Sequence, residues 1–198
     1  DAPIEETEAP AAEAPTEEET KGIPEGMMKS YLTGEIVSEE IGLRRPVAVM
    51  FNNVKAALPQ TGISRSGVIY EAPAEGGVVR LMGVIEDYDS LGKIGSVRSA
   101  RTYFVYLQQE WESIFLHFGQ CNYANPYLEQ PQVQNLNGVA ASGSKTYYRT
   151  SDRKAPHNAY ASADGIRAGI EKMGCTTAYS EGFEAPLKFA KEGEESSV

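Results

Sequence analysis

The side chains able to do chemistry crowd into four short segments rich in Gly and Pro. The first, EAPAEGG, runs from Glu71 through Glu75 to Gly77 and leads on to Arg80. The second, GSVRSAR, sets Arg98 and Arg101 three residues apart around Ser99. The third puts His117 ahead of Gly119 and Gln120 at the end of an apolar run, and the fourth, RTSDRKAPHN, carries Arg153, His157 and Asn158. Two arginines at the entrance to a helix can make an anion site, because first-turn amides and the positive helix end add to the guanidinium forks. Salt bridges to Glu71, Glu75 or Glu86 are the plainer use of the same arginines. Glu71 and Glu75 flank a tight connection and have the residue types of an acid–base pair such as glycoside hydrolysis uses. They are equally the ion-pair partners that a Gly-rich hairpin would carry. His117 reads either as a hydrogen-bonded structural residue or as a site residue, since strand ends line sites in α/β sheets. His157 follows Pro156 in a loop, where polar side chains more often serve ligands.

Spacing excludes several chemistries. GSVRSAR lacks the Gly-Lys-Ser/Thr ending of a P-loop and the glycine spacing of a dinucleotide fingerprint. No Gly-x-Ser-x-Gly elbow singles out a serine nucleophile. Two His and two Cys, none of them in metal spacing, give no reason to expect a metal or any other cofactor. Cys121 and Cys175 allow at most one disulfide and read equally well as two unpaired residues.

Hydrophobic patterning supplies the elements that must position these groups. Residues 45–51 (RPVAVMF) form a buried-strand pattern that ends at the turn signal Asn52-Asn53. Residues 67–71 and 78–87 are two further strands, and the Gly76-Gly77 pair between them favours a hairpin. Residues 89–95 read as loop. From Ser99 the period changes: Tyr103, Phe104, Leu107 and Trp111 fall on one helical face, with Ser99 as the expected cap. Residues 113–118 (SIFLHF) form another buried strand. Residues 122–138 hold a short helix around Tyr127 and then loop, and residues 146–149 are a short strand. A helix covers 163–173, with Asp164 near its start and Gly174 as its stop. The expected fold is therefore α/β or α+β: a mixed β-sheet with packed helices.

The net charge of −10 argues at first against a nucleic-acid partner, whose affinity would come from Lys and Arg. The charge sits at the ends, however. Residues 1–25 hold nine acids against Lys21, and 191–198 hold three against Lys191, which leaves residues 26–190 neutral. The first 25 residues, built from Ala, Pro, Glu and Thr, cannot bury enough apolar area to offset ordering, and are expected to be a disordered tether. A single folded domain over 26–190 follows, and 191–198 is an acidic tail or the start of a linker to a further domain. No run approaches the ~18 apolar residues of a membrane span, and no signal peptide is recognisable. An acidic stalk beginning at Asp1 without Met is the pattern of an exported protein processed upstream.

RPVAVMFNN, IYEAPAEGGVVRLM, IGSVRSART, the HFG after a hydrophobic strand, and YYRTSDRKAPHNAYAS resemble, in that order, the YerB-like lipoprotein family of bacterial cell envelopes, over about residues 44–173. The resemblance implies a domain of unknown function on a lipid-anchored stalk, at the outer face of the cytoplasmic membrane. Membrane contact would come only through that N-terminal anchor, which is not in this sequence. The organisation is also loosely similar to that of the LytR-CpsA-Psr phosphotransferases, without their Asp-rich metal pattern.

Two functional expectations follow. One is a binding domain for an anionic small molecule or cell-wall glycan, held by Arg80, Arg98, Ser99, Arg101, Arg153, His157 and Asn158. The other is a cell-wall polymer hydrolase or phosphotransferase, with Glu71, Glu75, His117 or His157 as the acid–base groups and arginines stabilising charge. A protein–protein module at the envelope would instead present an exposed apolar patch.

Overall fold

Strand β3 (Val47–Phe51) is buried at all five positions and forms the centre of the fold. The structure, a computed structural model, describes residues 22–140 and 143–190. The tether expected over 1–25 falls outside it for residues 1–21, as does the tail over 191–198. Ahead of β3 come a hairpin, β1 (Met27–Lys29) with β2 (Ile36–Ser38), and a one-turn helix, α1 (Glu39–Gly42). After it follow β4 (Val68–Pro73), β5 (Val79–Ile85), β6 (Ile94–Gly95), α2 (Thr102–Gln109), β7 (Ile114–His117), α3 (Asn125–Leu128), β8 (Asn135–Asn137), β9 (Tyr147–Arg149), β10 (Ala159–Ala161) and α4 (Ala163–Met173).

The main sheet has the order β4-β5-β3-β7-β8, and a second, small sheet has the order β6-β10-β9. In the main sheet β3, β7 and β8 run parallel, while β5 is antiparallel to both β3 and β4. This is a mixed-sheet α+β fold. Strict alternation along the strands gives each face its own core. Met50, Met82, Val84 and Phe115 pack with Phe104, Val105 and Trp111 of the α2 region on one face. Val47, Val49, Phe51, Ile114 and Leu116 pack on the other with Ile94, Ala161 and Ile166, which belong to the small sheet and α4. Truncating an aromatic such as Phe115 in a core of this kind typically costs about 3–5 kcal/mol. Cys121 packs on the first face and Cys175 on the second, so the sheet separates them and both are free thiols.

The Gly76-Gly77 hairpin forms between β4 and β5, with Gly76 and Gly77 at φ +72° and +74°. Helix α4 occupies 163–173; Ser162 Oγ accepts from Gly165 N, and Gly174 closes the helix at φ +62°. Four expectations need correction. Helix α2 begins at Thr102 with no side-chain cap. Ser99 lies in extended chain, where its hydroxyl donates to Phe118 O at 3.0 Å. The buried face of α2 is Phe104, Val105 and Gln108, so Tyr103 is exposed. The stretch 89–95, expected as loop, contains β6, and the loop expected after the short helix around Tyr127, which is α3, contains β8.

Candidate functional site

Strands β3, β4, β7 and β8 all point one way, so their carboxyl ends at Phe51, Pro73, His117 and Asn137 share one edge of the sheet. The extended segment 96–101 lies across that edge. Asn52 N donates to Ser96 O at 2.9 Å and Arg98 N to Met50 O at 2.9 Å. Phe118 N donates to Arg98 O at 3.0 Å and Ala100 N to Gly119 O at 2.9 Å. Short polar segments after apolar strands thus become mutual hydrogen-bond partners, which is why GSVRSAR needs no helix of its own.

The segment delivers its arginines beside the β4–β5 hairpin, where Arg80 opens β5 opposite Ala72. Arg101 grips Glu75 with two parallel bonds, Nε to Oε1 at 2.6 Å and a terminal nitrogen to Oε2 at 2.5 Å. Its other terminal nitrogen donates to Ala100 O at 2.8 Å. Arg80 donates to Ser99 O at 2.6 Å and is itself buried. Burial, together with the charges of Arg101 and Arg98, pulls Arg80 down to about 10, so all three guanidinium groups stay charged at neutral pH. Arg98 is lowered by burial and by Arg101. Its Nε is buried without an acceptor, and the guanidinium makes no ion pair among the described residues. Among the described residues three cations therefore share one carboxylate, leaving a surplus charge of two at the mouth of α2.

The acid–base candidates fare differently. The hydrogen bonds from Arg101 hold Glu75 at about 2, which keeps it ionised and unsuited to donate a proton. Glu71 is exposed on β4, in register with Leu81. His117 is fully buried, with Nδ1 2.8 Å from Gly119 O and Nε2 3.2 Å from Asn135 Oδ1. Burial lowers its pKa against both hydrogen bonds. It shapes the turn after β7 from beneath.

The fourth segment sits on the far side of 96–101, joined to it where Val97 N donates to Ala159 O at 2.7 Å. Arg153 spends its donors on the main-chain carbonyls of Ala57, Leu58 and Pro59. Asn158 accepts from Arg149 at 2.7 Å and donates to Thr150 O at 2.8 Å. His157 Nδ1 lies 2.9 Å from Asn52 Nδ2. Glu75, Arg80, Arg98, Ser99 and Arg101 are thus gathered in one group, and Arg153, His157 and Asn158 form a second, largely self-satisfied one.

Two residues of this edge, Asn52 and Asn137, are not among the site residues expected from the sequence. Asn52, nearly fully buried, links the two groups; Asn137 Oδ1 accepts from Gly119 N at 3.1 Å, and Asn137 Nδ2 donates to Gln120 Oε1 at 2.9 Å. Asn52 carries one signal, an Asn directly following an apolar strand, whereas Asn137 ends β8, which no local pattern marks. No group of three or more His, Cys, Asp or Glu able to hold a metal occurs among the described residues. An apolar groove of about 610 Å³ lies at the other end of the molecule, where Ile23, Met27, Met28, Leu43, Leu187 and Phe189 line it. It contains none of the arginines.

A mixed α+β sheet with a basic surface over its parallel strand ends defines the class. Residues 32–176 match the family described as protein of unknown function (DUF3048), N-terminal domain, and the chain belongs to that family. It is 38% identical over 147 residues to the "Putative lipoprotein YerB" of Bacillus subtilis (strain 168), covering 74% of this chain and 44% of that protein. The chain thus spans less than half the length of this curated relative. The crystal structure of the YerB protein from Bacillus subtilis superposes with a TM-score of 0.71 at 36% identity, over 76% of this chain and 51% of that one.

Proposed function

We propose that this domain binds an anionic ligand, free or carried on a cell-wall glycan, at the strand-end arginines, as part of a lipid-anchored protein of the cell envelope. The observation that carries the reading is Arg98: among the described residues, a half-buried guanidinium with no ion-pair partner beside two others, which share the carboxylate of Glu75. Like charges held together in a partly dry place favour an added anion, and guanidinium forks bind oxyanions by paired hydrogen bonds. The envelope location is drawn from the likeness to the Bacillus lipoprotein. Acid–base catalysis has less support, because Glu75 is ionised by its ion pair and His117 is enclosed.

Calorimetric titration with inorganic phosphate and with N-acetylmuramic acid tests the reading. Binding of at least one probe is expected, weakened about tenfold or more in Arg98→Ala, the scale of a lost charge-assisted hydrogen bond. Heat that is absent for both probes, or identical in the variant, would overturn it.

A further inference from the structure

We infer that the Glu75 carboxylate is a built-in competitor at this surface, occupying the Arg101 fork until a phosphate group carrying two charges takes its place across Arg80, Arg98 and Arg101. The inference rests on the anion-binding reading above and adds the ligand chemistry and its regulation.

The two halves of the ion pair differ in how firmly they are held. The Arg101 side chain is only 14% exposed, and its remaining donors are fixed on the carbonyls of Ser99 and Ala100. The Glu75 side chain is 67% exposed. It stands at the tip of the hairpin beside two consecutive positive-φ glycines, and a Cβ added to either glycine would meet nothing within 4 Å. The hairpin itself is anchored just before the tip, where Tyr103 donates to Pro73 O at 2.5 Å and Ala74 N to Val78 O at 2.7 Å. Movement is thereby confined to the tip and the Glu75 side chain. The cation is built in and the anion is on a swing.

Charge then selects the ligand. A carboxylate that displaced Glu75 would exchange one monoanion for another and leave the surplus of two positive charges unchanged. A phosphate monoester or free phosphate brings nearly two charges and at least three acceptor oxygens, enough for one contact to each guanidinium. Release of Glu75 has a modest cost, because its carboxylate is open to solvent, with the two-bond geometry placing the pair at the upper end of the range for exposed pairs. The competitor therefore lowers affinity by a small factor without blocking the surface.

The test uses the whole chain, with inorganic phosphate as one probe and vesicles containing phosphatidic acid as the other, to separate free phosphate from a lipid headgroup. Glu75→Gln is expected to bind the preferred probe about two- to fivefold more tightly than the unsubstituted protein, from the usual strength of an exposed pair. In the unsubstituted protein, the Arg101 Nε–H resonance is expected to shift on addition of the same probe. Equal or weaker binding by Glu75→Gln, with an unmoved Arg101 signal, overturns the competitor while leaving anion binding intact. N-acetylmuramic acid bound through Arg98 with neither phosphate probe bound overturns the phosphate assignment alone. Loss of every probe removes the anion-binding reading and this inference with it.

Discussion

His117 shows how a residue can be chemically suggestive and structurally committed at once. The position at the end of an apolar strand was legible in the sequence, but its depth was not, because depth depends on the segment 96–101 folding across the strand ends. Burial depresses its pKa, so the neutral imidazole is favoured more in the folded state than in the unfolded chain. The unfolded chain takes up a proton below about pH 6.5. Between that value and the lower folded one the unfolded state binds more protons, so stability falls as the pH is lowered through the window. Thermal melts from pH 7.5 to 5.5 should show a declining midpoint, with the decline reduced in His117→Gln. Parallel slopes in the two proteins would show that this imidazole does not titrate there. Glu112 acts elsewhere on the scale: burial raises its pKa, but bonds from Ser180 and the charge of Arg45 outweigh that and hold it low, so its contribution is lost only in acid. Arg98 is the opposite case to His117. Its arrangement with Arg101 could be read from spacing, whereas the pairing of Arg101 with Glu75 is a tertiary fact that leaves Arg98 the unmatched cation.

Among the elements, α4 was the most legible because its local signals agreed: Asp164 near its start, Ile166 and Ile170 on one face, and Gly174 as its stop; the Ser162 cap is seen only in the structure. Strand β8 was the least, since Asn-Leu-Asn has weak strand propensity and is held in extended form by pairing with β7. Helix α4 meets Leu136 of β8 at Gly169 and the chain just before β9 at both Gly169 and Gly165, where the sequence shows only helix-weakening glycines. A Cβ at Gly169 would stand 2.1 Å from Thr146 Oγ1 and 2.9 Å from Leu136 Cδ1, and one at Gly165 would stand 2.4 Å from the main-chain Thr146 O. Replacing Gly by Ala in a helix gains about 1 kcal/mol of propensity, while overpacking costs about 1–3 kcal/mol. At Gly169 the Thr146 and Leu136 side chains can yield partly, so Gly169→Ala should be destabilising by about 1 kcal/mol. At Gly165 the obstacle is backbone, and Gly165→Ala should lose more. Urea unfolding of the two variants checks the order, and a stabilised Gly165→Ala would mean that α4 is free to move off the chain at Thr146.

At the scale of the whole molecule the sheet has two unlike ends. The amino end of β3 is closed by the C-terminal segment: Arg45 N donates to Thr177 O at 2.7 Å, Arg45 pairs with Glu112 at 3.0 Å, and Ser180 N donates to Glu112 at 2.8 Å. Tyr179 and Phe183 stack there at 3.9 Å, with Tyr31 set edge-on to both. Ile23 and Phe189 line the same groove, so the described chain enters and leaves at this end. The arginines occupy the other. Five residues of β3 span roughly 17 Å, which exceeds the screening length of about 8 Å at physiological salt. Residues 1–21, with eight acids, join the domain at Gly22, next to Ile23 of that groove. The overall charge of −10 should therefore bear on the anion site only when salt is scarce. Deleting residues 1–21 is expected to leave the affinity for inorganic phosphate within about twofold at 0.15 M salt and to raise it at 0.01 M, where screening extends to about 30 Å. A large gain at both salt concentrations would place the acidic segment in direct competition for the arginines, and the separation of the two ends would no longer explain how an acidic protein keeps a site for anions.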